Sequence, residues 1–462
     1  MLKRFLGKVD DETKGCYDEA GMRSSKVLSA LVSVRRELSQ VLRWLSPGIG
    51  VKRWLLLTLM GTTLIGIGLG IVILHIYRTA PETWWLPLLS AASLRFLSRP
   101  LRAIIFILLG LGMVFGGIYG INRSLMTPFI KPGRKVVDEL TVHRRRERGI
   151  KIVAIGGGHG LATLLRGLKE YTYNLTAIVT VADSGGSSGK LRKEMGILPP
   201  GDLRNCLAAL SNDEALLTHL FQYRFADGQS GLNGHSLGNL LITALAEITG
   251  SFEEAVAESG RVLAVRGRVL PSTLQQVDLV ADVHLPLLTG GVRVEGESEI
   301  PRSSWRVKRV YLQPSSPAAY PEAIKAILGA DLIVIGPGSL YTSILPNLLV
   351  PEISQAIRSS KAVKVYVCNI AAQPGETDDY TCEDHVRAIE DHVGKGLFQV
   401  VLANQPPKEA AGETIEWVTV QGGQKMNYLF IQEKVYDETK VARHDSDLLA
   451  KSLLAIYQRM RS

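Results

Sequence analysis

Cysteine is scarce and scattered in this chain: four residues, Cys16, Cys206, Cys368 and Cys382, with no C-x-x-C pair among them. That pattern fits neither a zinc site nor a disulfide framework, and it points to reduced thiols in a cytosolic domain. Acid is scarce in one place only. Residues 1–150 hold 10 Asp and Glu against 23 Lys and Arg, whereas residues 151–462 hold 34 against 30. The net charge of +9 therefore belongs to the N-terminal third. The larger part lacks the basic face that binding to a phosphate backbone demands, so a nucleic-acid enzyme is excluded and a small ligand is expected. Internal repeats and low-complexity tracts are also absent, and a chain of 462 residues should form two or more modules.

Charge is missing altogether from two long stretches. "WLLLTLMGTTLIGIGLGIVILHI" (54–76) and "AIIFILLGLGMVFGGIYGI" (103–121) contain no Asp, Glu, Lys or Arg. About 20 apolar residues cross a bilayer core as a helix, so a two-helix transmembrane hairpin is expected. Gly112, Gly116 and Gly120 would let the helices approach closely. Arg35, Arg36, Arg43, Lys52 and Arg53 before the first stretch, and Arg123, Lys131, Arg134, Lys135 and "HRRRER" (143–148) after the second, place both ends in the cytoplasm. Arg78, Arg95, Arg99 and Arg102 in the connection weaken that asymmetry. Leu28, Leu31, Leu38, Leu42 and Leu45 form an amphipathic stripe that could pack on a partner helix or on the membrane. The expected organisation is a cytoplasmic segment (1–50), a hairpin (51–125), a basic juxtamembrane linker (126–150) and a ligand-binding domain (151–462). The protein would be multi-pass in the cytoplasmic (inner) membrane.

From residue 151 onward, short apolar runs alternate with helical periods. "KIVAI", "LTAIVTV", "DLIVIG", "AVKVYVCNI" and "LFQVVLAN" are the strand candidates, and the alternation predicts an α/β fold. The expected form is a Rossmann-like, three-layer, doubly wound parallel sheet. Residues 262–312 change to turn-punctuated alternation, which predicts an antiparallel extension with "TGG" as a turn. "DSDLLAKSLLAIYQRM" reads as a closing helix capped by Asp445 or Ser446.

The chemistry concentrates where apolar runs end in glycine. "KIVAIGGGHGLATLLRGL" places Gly156, Gly157, Gly158, His159 and Gly160 between a strand and a helix. Bare backbone at a strand tip, followed by a helix N-terminus, makes a phosphate cradle. The dinucleotide fingerprint G-x-G-x-x-G fails because Leu161 stands where the third glycine belongs, which disfavours an NAD site. "DLIVIGPGSL" repeats the device with Gly336, Gly338 and Ser339, giving two halves of one anion-lined crevice. "TVADSGGSSGKLR" offers Asp183, Ser187 and Ser188; Asp183 could bind a ribose hydroxyl, hold Mg²⁺ or cap a turn. In "LPPGDLRNCLAAL" Asp202 reads as a helix N-cap and Asn205 as the better ligand candidate. "GHSLGNLLITAL" supplies His235, Gly238 and Asn239, with His235 either structural or an acid–base. Arg266 and Arg268 in "RGRVLPST", together with the Gln373–Thr377 loop, are further polar candidates.

These motifs, taken in order and joined by "GPGSLYTSILPNLL" and "QPGET", resemble the YvcK family of gluconeogenesis factors over about residues 150–460. That family is similar to CofD-type phospholactate transferases. The resemblance implies a Rossmann-like fold and binding of a UDP-sugar such as UDP-N-acetylglucosamine. It also implies a link to growth on gluconeogenic carbon sources and to cell shape through envelope-precursor supply. Gly156 to Gly160 would then lie under the diphosphate, Asp183 and Ser187 beside the nucleotide or a Mg²⁺ ion, and Asn205, His235, Asn239, Gly338 and Ser339 around the crevice. Two departures stand out: Ser184 replaces a second acid after the second strand, and Ala371-Ala372 replaces Met-Thr before "QPGET". A ligand-binding regulator, homo-oligomeric and with protein partners in envelope synthesis, is the expectation; a Mg²⁺-dependent CofD-like transferase with Asp183 and His235 is the alternative.

Overall fold

The computed structural model describes residues 97–126 and, from 144 to 461, all but 212–215, 227–230, 285–290, 302–305, 408–414 and 423–426; scattered positions from 59 to 74 are also described. The chain divides into two units, Met1–Arg144 and Arg145–Ser462.

In the first unit, helix α1 (Arg99–Met126, 28 residues) contains the second uncharged stretch. Its described side chains at Ile104, Ile107, Leu108, Leu109, Met113 and Phe115 are exposed. Among the described residues no helix is long and apolar enough to cross a membrane. The two-helix expectation therefore gains no support from the described residues. Most of the first stretch, the leucine stripe at 28–45 and residues 127–143 lie outside the described residues.

The second unit is an α/β domain with a mostly parallel central sheet. Its strands are β1 (Ile152–Gly156), β2 (Leu175–Val179), β3 (Arg268–Pro271), β4 (Asp278–His284), β5 (Gly291–Glu295), β6 (Arg306–Gln313), β7 (Leu332–Ile335), β8 (Val363–Val367), β9 (Val400–Asn404) and β10 (Leu429–Glu433). Seven of them form one sheet in the order β3-β2-β1-β7-β8-β9-β10, every neighbouring pair parallel. β1, β2, β7 and β9 are buried along their whole length, as strands covered on both faces must be, and this makes their sequences continuous apolar runs. The remaining three strands form a separate antiparallel sheet, β5-β4-β6. The expected "TGG" turn falls largely in the undescribed 285–290, and β3, expected within the antiparallel region, joins the main sheet beside β2.

The helices are α2 (Gly158–Leu168), α3 (Gly186–Met195), α4 (Gly201–Leu210), α5 (Leu216–Gln222), α6 (Leu237–Thr249), α7 (Phe252–Val262), α8 (Pro321–Leu328), α9 (Leu345–Leu348), α10 (Pro351–Ser359), α11 (Cys382–Val393) and α12 (Ser446–Arg461), with a π-helical turn at Leu340–Ile344. The stripe Leu161, Leu164, Leu165 and Leu168 of α2 is fully buried. Helix α12 is capped by Asp445, whose Oδ1 accepts from the N–H groups of Asp447 and Leu448 at 2.9 and 2.8 Å. Strand order reverses between β1 and β7, and open parallel sheets bind ligands at the carboxyl ends of strands where the order reverses.

Candidate functional site

Both glycine-rich tips emerge at that point and touch. Gly157 precedes α2 in extended conformation without offering a side-chain cap, and Gly158 has φ +63°, in the left-handed region that glycine favours. Gly336 at the β7 tip has φ +81°. A Cβ on Gly160 would lie 2.7 Å from the Pro337 carbonyl oxygen and 3.1 Å from the Gly338 nitrogen; one on Gly157 would lie 2.5 Å from Asp202 Oδ2. So part of the bareness serves the protein's own contacts rather than a ligand. Asn347, fully buried on α9, stitches the second tip to the first: its Nδ2 donates to Gly156 O at 2.9 Å and to Ser343 O at 2.8 Å.

Between the tips opens a cavity of about 620 Å³, within the range of small-ligand pockets. Gly157, Gly158, His159 and Gly160 line one side; Pro337, Gly338, Ser339 and Ser343 line the other. Gly157 offers the first-turn amides of α2 no side-chain cap and the Asp202 carboxyl takes the Gly158 N–H, which leaves the N–H groups of His159 and Gly160 and the positive end of the helix dipole to meet an anion. Arg166 and Arg443, both exposed, add full charges, and with buried Arg204 they help hold His159 neutral below its ordinary range, burial being the larger cause. On the β8 side, Gln373 Nε2 donates to Ser339 Oγ (2.9 Å) and Asn369 Nδ2 to Gln373 Oε1 (3.1 Å).

Three carboxyl groups also line the cavity: Asp183, Asp202 and Glu297. Sequence reading found only the first. Asp202 is not the cap of α4, whose N-cap is Pro200; it lies in the first turn and accepts the Gly158 N–H. Burial, then the nearby Asp183 charge, pushes Asp202 up to about 7. Burial, then Asp183 and Asp202, pushes Glu297 up to about 8. Asp183 is raised by burial, against the opposing pull of hydrogen bonds from the Gly185 N–H (2.8 Å) and the Ser188 hydroxyl. The loop carrying Glu297 is tied to the Asp183 loop through Ser184, whose Oγ accepts from Ser298 N at 3.3 Å. A fourth acid, Glu376, lies behind the wall, accepting from Thr342 Oγ1 (3.0 Å) and Tyr341 N (3.3 Å), and burial raises it to about 7. Among the described residues no group of three His, Cys, Asp or Glu is arranged to hold a metal.

Several expected site residues line no part of this cavity. Ser187, His235 and Asn239 form a buried knot instead: Ser187 Oγ lies 3.0 Å from His235 Nδ1 and accepts from Asn239 Nδ2 at 3.0 Å, joining α3 to α6. Gly238 is glycine for packing, since a Cβ there would meet Phe221 O at 2.5 Å and Arg204 Cδ at 2.9 Å. Asn205 accepts from Arg204 Nη2 at 2.9 Å, and Ser188 is buried beside Asp183. Arg266 and Arg268 enter β3 at its N-terminal end, the opposite edge of a parallel sheet from the cavity. Arg266 stacks over the Tyr173 ring at 5.5 Å, and Arg268 pairs with Glu322 at 3.4 Å. Gly156 and Gly336 underlie the tips without lining the space. Cys206, Cys368 and Cys382 are free and buried.

Residues 152–442 match the family model described as 2-phospho-L-lactate transferase CofD. A Nostoc sp. protein bearing a gluconeogenesis-factor name is 46% identical over 441 residues, 91% of this chain and 93% of that one. The Bacillus subtilis "Gluconeogenesis factor" is 54% identical over 254 residues, 55% of this chain and 78% of its own. A crystallised member of the UPF0052 family from Bacillus halodurans superposes with TM-score 0.61 at 46% identity, covering 66% of this chain and 99% of its own.

Proposed function

The chain belongs to the gluconeogenesis-factor family and carries a CofD-type domain, and on that premise we propose that it is a regulator that binds a nucleotide sugar, UDP-N-acetylglucosamine or a close analogue, in the crevice between β1 and β7. The observation that carries this reading is the contact of two glycine-rich tips at the strand-order reversal, with the N-terminus of α2 and Arg166 and Arg443 around one polar cavity. The amides and guanidinium groups suit a diphosphate, while Asp183, Ser339, Asn369 and Gln373 suit ribose and sugar hydroxyls. A Mg²⁺ ion fits only as one carried with the diphosphate, Asp183 and Asp202 lending carboxylates, because Mg²⁺ accepts one or two protein ligands beside phosphate oxygens. Such an ion would offset the repulsion between the acids and the phosphates.

A CofD-like transferase is the second reading, favoured by Asp202 and Glu297, which hold protons close to neutral pH and could move one during group transfer. Calorimetry with UDP-N-acetylglucosamine and Mg²⁺, followed by product analysis, separates the two. Saturable binding without turnover supports the regulator; metal-dependent product lost in Asp183→Asn supports the transferase; absence of binding by a folded protein removes both.

The uncharged stretches 54–76 and 103–121 and the exposed apolar side chains of α1 support attachment of this regulator to the cytoplasmic membrane with the second unit in the cytoplasm. Envelope-precursor supply, with protein partners and self-association, is the process in which such a tethered sensor would act.

A further inference from the structure

The edge of the parallel sheet opposite the cavity carries its own charge pattern. The segment 145–151 enters β1 there and is pinned in place: Tyr173 N–H donates to Arg146 O (3.0 Å), Asn174 Nδ2 to Glu147 O (2.9 Å) and Gly149 O (2.7 Å), and Thr172 Oγ1 to Ile150 O (3.0 Å). Arg145, Arg148 and Lys151 on this fixed segment are exposed, as are Arg266 before β3 and Lys361 before β8. None of the five forms an ion pair in the structure's described residues. Acids also lie at this edge, among them Glu147 on the pinned segment, which is exposed. Glu170 pairs with Arg146 at 2.7 Å, and Asp331 Oδ2 accepts from the Lys151 N–H at 2.9 Å. With strands about 4.8 Å apart, β8 to β3 place these cations along a strip of about 20 Å.

We propose that this N-terminal sheet edge is a docking surface for an anionic lipid bilayer. Charge complementarity selects the occupant, and the sequence supports it: Arg123, Lys131, Arg134 and Lys135 immediately precede the edge, and before them comes the uncharged stretch 103–121. Juxtamembrane cations are drawn to anionic headgroups. Because a parallel sheet has its N- and C-terminal edges at opposite ends, docking here leaves the crevice open to solvent and to its ligand. The proposal rests on the membrane attachment proposed above for its occupant, while its test needs only the second unit.

The test uses residues 145–462, which correspond to a relative that folds and crystallises without the N-terminal third. The domain is floated with vesicles of phosphatidylcholine alone or with about a third phosphatidylglycerol, at low and high salt. Salt-sensitive flotation with the anionic vesicles alone is expected. The triple variant Arg145→Gln/Arg148→Gln/Lys151→Gln should lose partitioning on the order of 100-fold. The exposed pair Lys193→Gln/Lys308→Gln should float as the wild type, and nucleotide-sugar affinity should be unchanged in both variants. Arg266→Gln, outside the pinned segment, gives the same direction if the triple variant fails to fold. Lack of flotation, flotation of the triple variant equal to wild type, or tighter binding to a short nucleic-acid duplex than to the vesicles would overturn the proposal. Carbonate extraction of the full chain tests the membrane spans separately, so either reading can fail alone.

Discussion

Gly160 shows how one residue can decide whether the crevice exists. A methyl group there meets the Pro337 carbonyl at 2.7 Å and the Gly338 nitrogen at 3.1 Å, and both are backbone atoms with no rotamer to yield. Gly160→Ala should therefore cost about 1–3 kcal/mol of stability and, by parting the tips, weaken UDP-N-acetylglucosamine binding at least about tenfold. Gly231→Ala, with nothing within 4 Å, should change neither; thermal melting and calorimetry of the pair check this. The acids allow a second prediction. Unfolded, Asp202 and Glu297 ionise near 3.8 and 4.5; folded, they keep their protons to about 7 and about 8. Between those limits the native state binds more protons than the unfolded state, so this contribution to stability declines as pH rises and levels off above about 8. Tm of the ligand-free protein should fall from pH 5 to pH 8, and the fall should shrink in Asp202→Asn and in Glu297→Gln. Wild-type pH profiles in both variants would refute this.

At the scale of elements, the crevice is held open by links that lie outside it. Asn347 on α9 ties Ser343 to Gly156, and Asn347→Ala, which removes both bonds inside the core, should cost about 1–3 kcal/mol and loosen ligand binding as the second tip drifts. The knot of Ser187, His235 and Asn239 predicts the contrary split. Ser187→Ala should lower Tm yet leave nucleotide-sugar affinity within about twofold, because the knot joins α3 to α6 without reaching the cavity; a tenfold loss of affinity with Tm unchanged would restore Ser187 to the site. The same contrast explains what the sequence made legible. Strands buried on both faces announce themselves as apolar runs, and glycine at their ends marks the tips, so β1, β2, β7, β8 and β9 and both halves of the crevice could be read directly. β3 and β10 are edge strands of four and five residues with partly exposed side chains, too short and too mixed to stand out as apolar runs. Asp202 resembled a helix cap because a carboxylate at a helix start serves either purpose. Glu297 arrives from a neighbouring sheet, and its loop is tied to Ser184 across 114 residues of sequence, a distance that no local pattern spans. Arg266 and Arg268 misled for the opposite reason: polar loops look alike at both ends of a strand, and only the strand direction separates them.

For the whole molecule, the division at Arg144/Arg145 makes the two units separately testable. All residues lining the cavity belong to the second unit, so residues 145–462 should bind UDP-N-acetylglucosamine with the affinity of the full chain, within about twofold. Attachment should follow the other division of labour. An uncharged stretch such as 103–121 is held in a bilayer by burial of apolar surface, which alkaline carbonate does not reverse; a cationic sheet edge is held by headgroup charge, which carbonate and salt do reverse. The full chain should thus stay with washed membranes while residues 145–462 are released. Release of both would leave α1 a helix whose exposed Ile, Leu, Met and Phe side chains need a protein partner rather than lipid to cover them, and would move the search for that partner to the N-terminal unit.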